Sequence, residues 1–179
     1  MSSKKFFLPF LVVVPFIFLF SGCADNSEAN LATELKDKPS TGVITIDTNN
    51  IDLGDIPIQG GKVDVEFPFK NTGSDSIALL EGVTSCMCTT AVVKGADGTT
   101  SPTLIMPMSG PGHGDHGGAG PTKIYQVLNP GESATVIATF DPLAHGPDAV
   151  GPITREVVIY TNSTETPEVK FKFSGNVIR

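Results

Sequence analysis

The sequence predicts an all-β domain, a two-sheet antiparallel β-sandwich, carried behind a short N-terminal export segment. Three observations carry that prediction. Apolar residues recur with a period of two in stretches of five to ten residues, the spacing of strands that bury one face. Turn chemistry separates those stretches, with 19 Gly and 14 Pro in 179 residues and no tryptophan. Beyond residue 41, no segment repeats at the helical period over a useful length.

The export segment comes first. Lys4 and Lys5 precede an apolar run from Phe6 to Phe20, followed by Ser21-Gly22-Cys23. A charged start, a short apolar stretch and small residues at the end are the parts of a cleaved signal peptide. The run is shorter than the roughly 20 apolar residues of a membrane-spanning helix, and Pro9 and Pro15 interrupt it. Leu19-Phe20-Ser21-Gly22-Cys23 resembles a lipobox, with Phe20 where an aliphatic residue is usual. That resemblance implies lipidation of Cys23, whose acyl chains, palmitate among them, would hold the mature chain on a membrane. The expected divisions are therefore a lipoprotein signal peptide over 1–22, the lipidated cysteine and a flexible tether over 23–41, and the sandwich over 42–179. Asp, Asn, Ser, Glu and Lys dominate the tether, and Leu31 to Lys36 offers only a weak helical stripe.

Charge narrows the partners. The formal charge is −7, and loss of Lys4 and Lys5 with the signal peptide makes it −9. So acidic a chain, with no basic cluster, is expected to bind no nucleic acid.

Within the domain the clearest strand is Lys62 to Asn71. Val63, Val65, Phe67 and Phe69 alternate there with Lys62, Asp64, Glu66 and Lys70. Pro68 falls on the outward set, which an edge or bulge tolerates. Val43 to Asp47 and Ile51 to Ile56 give short opening strands, and Ser76 to Val83 gives another. Ser133 to Asp141 carries Ala134, Val136, Ala138 and Phe140 on one face. Thr154 to Thr161, Val169 to Phe173 and the closing Gly175 to Ile178 complete six to eight strands, the pattern of a sandwich.

Certain short motifs come in a telling order. They are Asn71-Thr72-Gly73, Ser85-Cys86-Met87-Cys88-Thr89, Asn129-Pro130-Gly131-Glu132, Phe140-Asp141, Thr161-Asn162 and Phe173-Ser174-Gly175. The set resembles bacterial domain of unknown function 1573, over about Ile46 to Ile178. That family is similar to immunoglobulin-like modules of the ASH and Hydin type and to the major sperm protein and PapD class. The resemblance implies an immunoglobulin-like sandwich and supplies no activity. Met87 stands where the family often has Gly, and an insertion at about 94–121 separates the cysteine motif from Asn129-Pro130-Gly131.

Cys86 and Cys88 are the first candidate site. On an extended chain their Cα atoms would lie roughly 6.6 Å apart on one face, near the limit for a disulfide. A direct bond needs a bulge or bend. The alternatives are a soft-metal site, thiol exchange with another molecule, or two small buried residues with a structural role.

The insertion is the second candidate. It holds Met106, Met108, His113, Asp115 and His116 in a Gly-rich run, two of the four methionines and two of the three histidines. Thioether, imidazole and thiolate together suit copper. The candidate metal set is therefore Cys86, Cys88, Met106, Met108, His113 and His116, joined by His145 only if the fold brings its loop near.

Catalytic patterns are lacking: no Gly-x-Ser-x-Gly elbow, no phosphate-cradling Gly-Lys-Ser/Thr loop, no His-Glu-x-x-His pair and no Cys-x-x-Cys. The sequence thus leads to a non-enzymatic lipoprotein of the cell envelope, presenting a binding or adaptor module to an envelope protein partner. Its contact would come from a sandwich edge strand or from the insertion. Envelope copper handling is the alternative from a different class, and thiol exchange at Cys86 and Cys88 is a third.

Overall fold

The computed structural model describes residues 27–107 and 120–179. Among them are one helix, α1 (Ser27–Leu35), and nine strands: β1 (Ile44–Ile46), β2 (Asn50–Pro57), β3 (Val63–Asn71), β4 (Ile77–Thr84), β5 (Thr89–Lys94), β6 (Thr122–Leu128), β7 (Ser133–Phe140), β8 (Gly151–Thr161) and β9 (Glu168–Ile178). One sheet has the order β1-β3-β7-β5 and the other β2-β9-β8-β4-β6.

The alternation read in β3 dictates which face is inward. Val65, Phe67 and Phe69 are buried, while Asp64, Glu66, Pro68 and Lys70 are exposed. Val169, Phe171 and Phe173 of β9 supply the opposing layer. Phe171 packs against Phe67 and Phe69, each with ring centroids 5.5 Å apart, and Phe140 meets Phe173 at 6.0 Å. These rings join the two sheets, and each fully buried side chain of this size stabilises by about 1.5–3 kcal/mol.

Two strands escaped the sequence reading, β5 and β6. In β6 the buried Gln126 occupies the inward parity between Ile124 and Leu128 and breaks the apolar alternation; its amide reaches Val93 O. In β5 the inward positions are the small Thr89, Ala91 and Val93, which give a faint signal. The sandwich is antiparallel in every strand pair but one. β2 runs parallel to β9, with Ile51 beside Phe173 and Ile56 beside Val177, so this sheet is mixed. Pro68 lies one residue past the last β3 position paired with β1, where β3 has β7 alone as neighbour.

The ordered motifs are stitches between turns. Asn71 is fully buried; its amide donates to Asp75 O and Leu128 O, and its Oδ1 accepts from Gly73 N. Its backbone bonds Gly131 and Glu132, so the turns after β3 and before β7 are sewn together. Gly73 is required there, since a Cβ would stand 2.5 Å from Val43 N.

Residues 27–41, read as part of a flexible tether, contain a docked helix. α1 packs on β4 and β6, and Ala32 is 2% exposed. Asn162 fastens the end of the helix by donating to Leu35 O and Lys38 O while its Oδ1 accepts from Ala78 N. The weak stripe suffices because β4 and β6 offer a second apolar face to cover: Ala78 and Val127, paired across the two strands, are both buried.

The sheet edges are blunted. β1 has three residues. Residues 99–104, the first part of the insertion, fold back along β5, with Ala91 and Leu104 exchanging backbone hydrogen bonds at 3.1 and 2.7 Å. β6 is bulged at Tyr125, whose φ is 58°, and β2 is broken at Gly54, φ 63°. Bulges, short strands and covering segments are how sheets resist adding a further strand.

Candidate functional site

The Ser-Cys-x-Cys-Thr motif forms the turn between β4 and β5. Thr84 Oγ1 closes the turn by donating to Thr89 O at 2.9 Å, and Thr89 N donates to Cys86 O at 3.1 Å. Ser85 moors it to β8, its N donating to Glu156 O and its Oγ accepting from Glu156 N, both at 2.9 Å. The turn brings the Cα atoms of Cys86 and Cys88 to 5.2 Å, and a disulfide joins them. An extended strand would hold them farther apart, so the bond depends on the turn. Met87, between the two cysteines, projects outward with 64% exposure.

The two sulfurs have different surroundings. Cys88 is 2% exposed and belongs to the core, whereas Cys86 is only partly buried. In a disulfide each sulfur can only accept. Cys86 Sγ accepts from His145 Nε2 and from Cys88 N, each at 3.3 Å. Cys88 Sγ accepts from Arg155 Nε at 3.0 Å and from the Thr89 hydroxyl at 3.7 Å.

Local folding delivers both partners. Asp141 N donates to Cys88 O, docking the loop after β7 on the cysteine turn. Asp141 Oδ1 then accepts from Leu143 N at 2.9 Å, and the single turn that follows turns His145 toward Cys86. Arg155 lies on β8 and its Nη1 is held by Thr154 O at 2.8 Å. Its guanidinium stands 5.8 Å from the Phe140 ring centre, within cation–π range. Burial pushes the Arg155 pKa down from its ordinary value, yet a guanidinium keeps its proton. Among the described residues Arg155 makes no ion pair with a carboxylate.

Of the residues singled out from the sequence, Cys86, Cys88 and His145 come together, their ligand-type atoms within 4.8 Å of one another. Met106 is partly buried and follows Ile105, whose carbonyl accepts from Thr84 N at 3.2 Å. Cys23, Met108, His113, Asp115 and His116 lie outside the described residues. Sequence reasoning missed Arg155, although a signal existed. It shares strand parity with Val157 and Ile159, both fully buried, and a charge at core parity calls for a partner.

Chemically, the arrangement favours negative charge on sulfur. Metals bind thiolates, so the closed disulfide withholds both sulfurs from an ion, and the Arg155 cation beside Cys88 would repel one. Four hydrogen-bond donors and one fixed positive charge instead suit a sulfur pair that opens to thiolate.

Comparison with known proteins fits this architecture. Residues 44–98 match the model of a family described as protein of unknown function (DUF1573). Comparison with curated proteins gives no match. Among solved structures, a protein of unknown function from Porphyromonas gingivalis W83 is similar at 18% identity and TM-score 0.52, over 76% of this chain and 47% of that one. The present chain thus spans just under half the length of that relative. The ASH/PapD-like domain of human CEP192 is similar at 16% identity and TM-score 0.43, over 79% of this chain and 89% of that one. The family match ends at residue 98, short of the 46–178 span over which the motifs resemble the family. Residues 44–98, from β1 through the cysteine turn and β5, thus resemble the DUF1573 family, and they lie within a two-sheet β-sandwich.

Proposed function

We propose that this chain is a non-catalytic lipoprotein of the cell envelope, anchored through a lipidated Cys23, whose sandwich binds another envelope protein through the loop end that carries the disulfide. One observation carries the choice of surface. Three exposed apolar side chains, Met87, Ile105 and Leu143, lie on three segments joined there by backbone hydrogen bonds, Thr84 N to Ile105 O and Asp141 N to Cys88 O. Exposed apolar side chains gathered in one place mark contact surfaces, and methionine adapts to varied partners. The blunted edges weigh against strand addition, the other contact mode that a sandwich offers.

A photocrosslinking residue placed at Met87 or Leu143 in the full lipidated chain tests this. Discrete crosslinked species are expected from both positions and none from Lys70, an exposed residue of β3. Equal crosslinking from Lys70, or none from Met87 and Leu143, would remove the disulfide end as the contact surface.

A further inference from the structure

We propose that the Cys86–Cys88 disulfide is a thiol-exchange site that oxidises a dithiol on a partner protein, with Cys86 the attacked sulfur and Cys88 the leaving one. The exchange is stoichiometric, one disulfide opened per dithiol oxidised, so it goes beyond the non-catalytic binding proposed above without contradicting it, and it requires only that a thiol reach Cys86.

Exposure decides which sulfur is attacked. Cys86 is reachable beside the exposed Met87, whereas Cys88 sits in the core at 2% exposure. An incoming thiolate bonds to Cys86 Sγ, the Cys86–Cys88 bond breaks, and its electron pair leaves on Cys88 Sγ. Arg155 Nε, 3.0 Å from that sulfur, receives the new negative charge together with the Thr89 hydroxyl. The partner's second thiolate then attacks its own sulfur in the mixed disulfide and expels Cys86, which takes a proton by way of His145 Nε2. The partner dithiol loses two electrons and two protons and becomes a disulfide. Cys86 and Cys88 gain the electrons; one proton ends on Cys86 and the other goes to solvent, leaving Cys88 as a thiolate.

The direction of transfer follows from the charges. A cation and four donors around the sulfurs stabilise the opened form more than the closed one, because a thiolate carries charge that a disulfide lacks. Stabilising the reduced form makes a disulfide a better oxidant. Arg155 has no carboxylate to neutralise it among the described residues, so its charge is available to the sulfur. Arg155 is here a positioning and charge-stabilising residue, and the protein dithiol is favoured over a small thiol by the apolar Met87 and Leu143 around the site.

The test uses the full chain in detergent, equilibrated in mixtures of reduced and oxidised glutathione, quenched in acid and alkylated for mass analysis. In Cys88→Ser, Cys86 should take up one glutathione, at least about tenfold faster than Cys88 does in Cys86→Ser. Arg155→Gln should shift the equilibrium toward the closed disulfide by about tenfold in the glutathione ratio, and Arg155→Lys should restore most of that shift. A fold check by amide hydrogen exchange on each variant separates lost charge from lost structure. Equal reactivity of the two cysteines, or an unchanged equilibrium in a folded Arg155→Gln chain, would overturn the proposal.

Discussion

The side-chain amide of Asn71 donates to the backbone carbonyl of Leu128 at 2.8 Å, across 57 residues of sequence, from a fully buried position. The same amide holds Asp75 O, so one side chain satisfies two carbonyls and fixes two turns. Replacing Asn71 with Ala leaves Leu128 O, inside the fold, without its partner. The expected loss is about 2–4 kcal/mol, from stranded buried acceptors, read as a lower urea midpoint with unchanged slope.

Phe171 touches two rings of the opposite sheet and has no solvent exposure. Phe171→Ala should cost about 3–5 kcal/mol, the transfer free energy plus a residual cavity. Phe171→Leu should cost clearly less. If both substitutions cost under about 1 kcal/mol, Phe171 is not the centre of the core.

Asp75 accepts hydrogen bonds from the Thr41 hydroxyl and backbone N–H, which hold its pKa below the ordinary carboxylate value of 3.8. A depressed folded pKa contributes stability above the unfolded value and loses it as pH falls through the folded one. The stability gap between the wild type and Asp75→Asn should therefore be widest near neutral pH and close below about pH 4. Urea titrations at several pH values check it; a gap that widens in acid contradicts the assignment.

The proposed lipidation of Cys23 predicts that cells fed labelled palmitate incorporate label into the wild-type chain and none into Cys23→Ala. The variant should also leave the membrane fraction. Label retained in Cys23→Ala would place the acyl chain elsewhere.

With the disulfide closed, neither Cys86 nor Cys88 presents a thiolate. The oxidised full chain should therefore take up no more Cu(I) than a Cys86→Ser/Cys88→Ser variant, by competition titration and elemental analysis. Uptake by the oxidised wild type alone would show that the sulfurs serve a metal as they stand.

The sandwich was legible in the sequence where parity is strict. In β3 and β7 every inward residue except Asn71 is apolar and nearly every outward one polar, and a period of two is enough to choose a face. β6 was hidden because Gln126 takes an inward position, and a buried amide there is intelligible only once Val93 O is known to lie beside it. Helix α1 carries only a weak apolar stripe, and nothing in its own residues announces the buried Ala78 and Val127 that await cover on β4 and β6.

By itself the sequence determined the strand-rich class and the two cysteines as a candidate pair, because each depends on residues close together in the chain. Only the tertiary structure decided what surrounds the cysteines. His145 and Arg155 lie 59 and 67 residues from the sulfurs they meet. They arrive there through strand pairing and the docking of the 141–146 loop, which local sequence pattern does not encode. Whether a sulfur is core or exposed, and whether a cation stands beside it, is a property of packing between sheets, and that is where the chemistry of the pair is set.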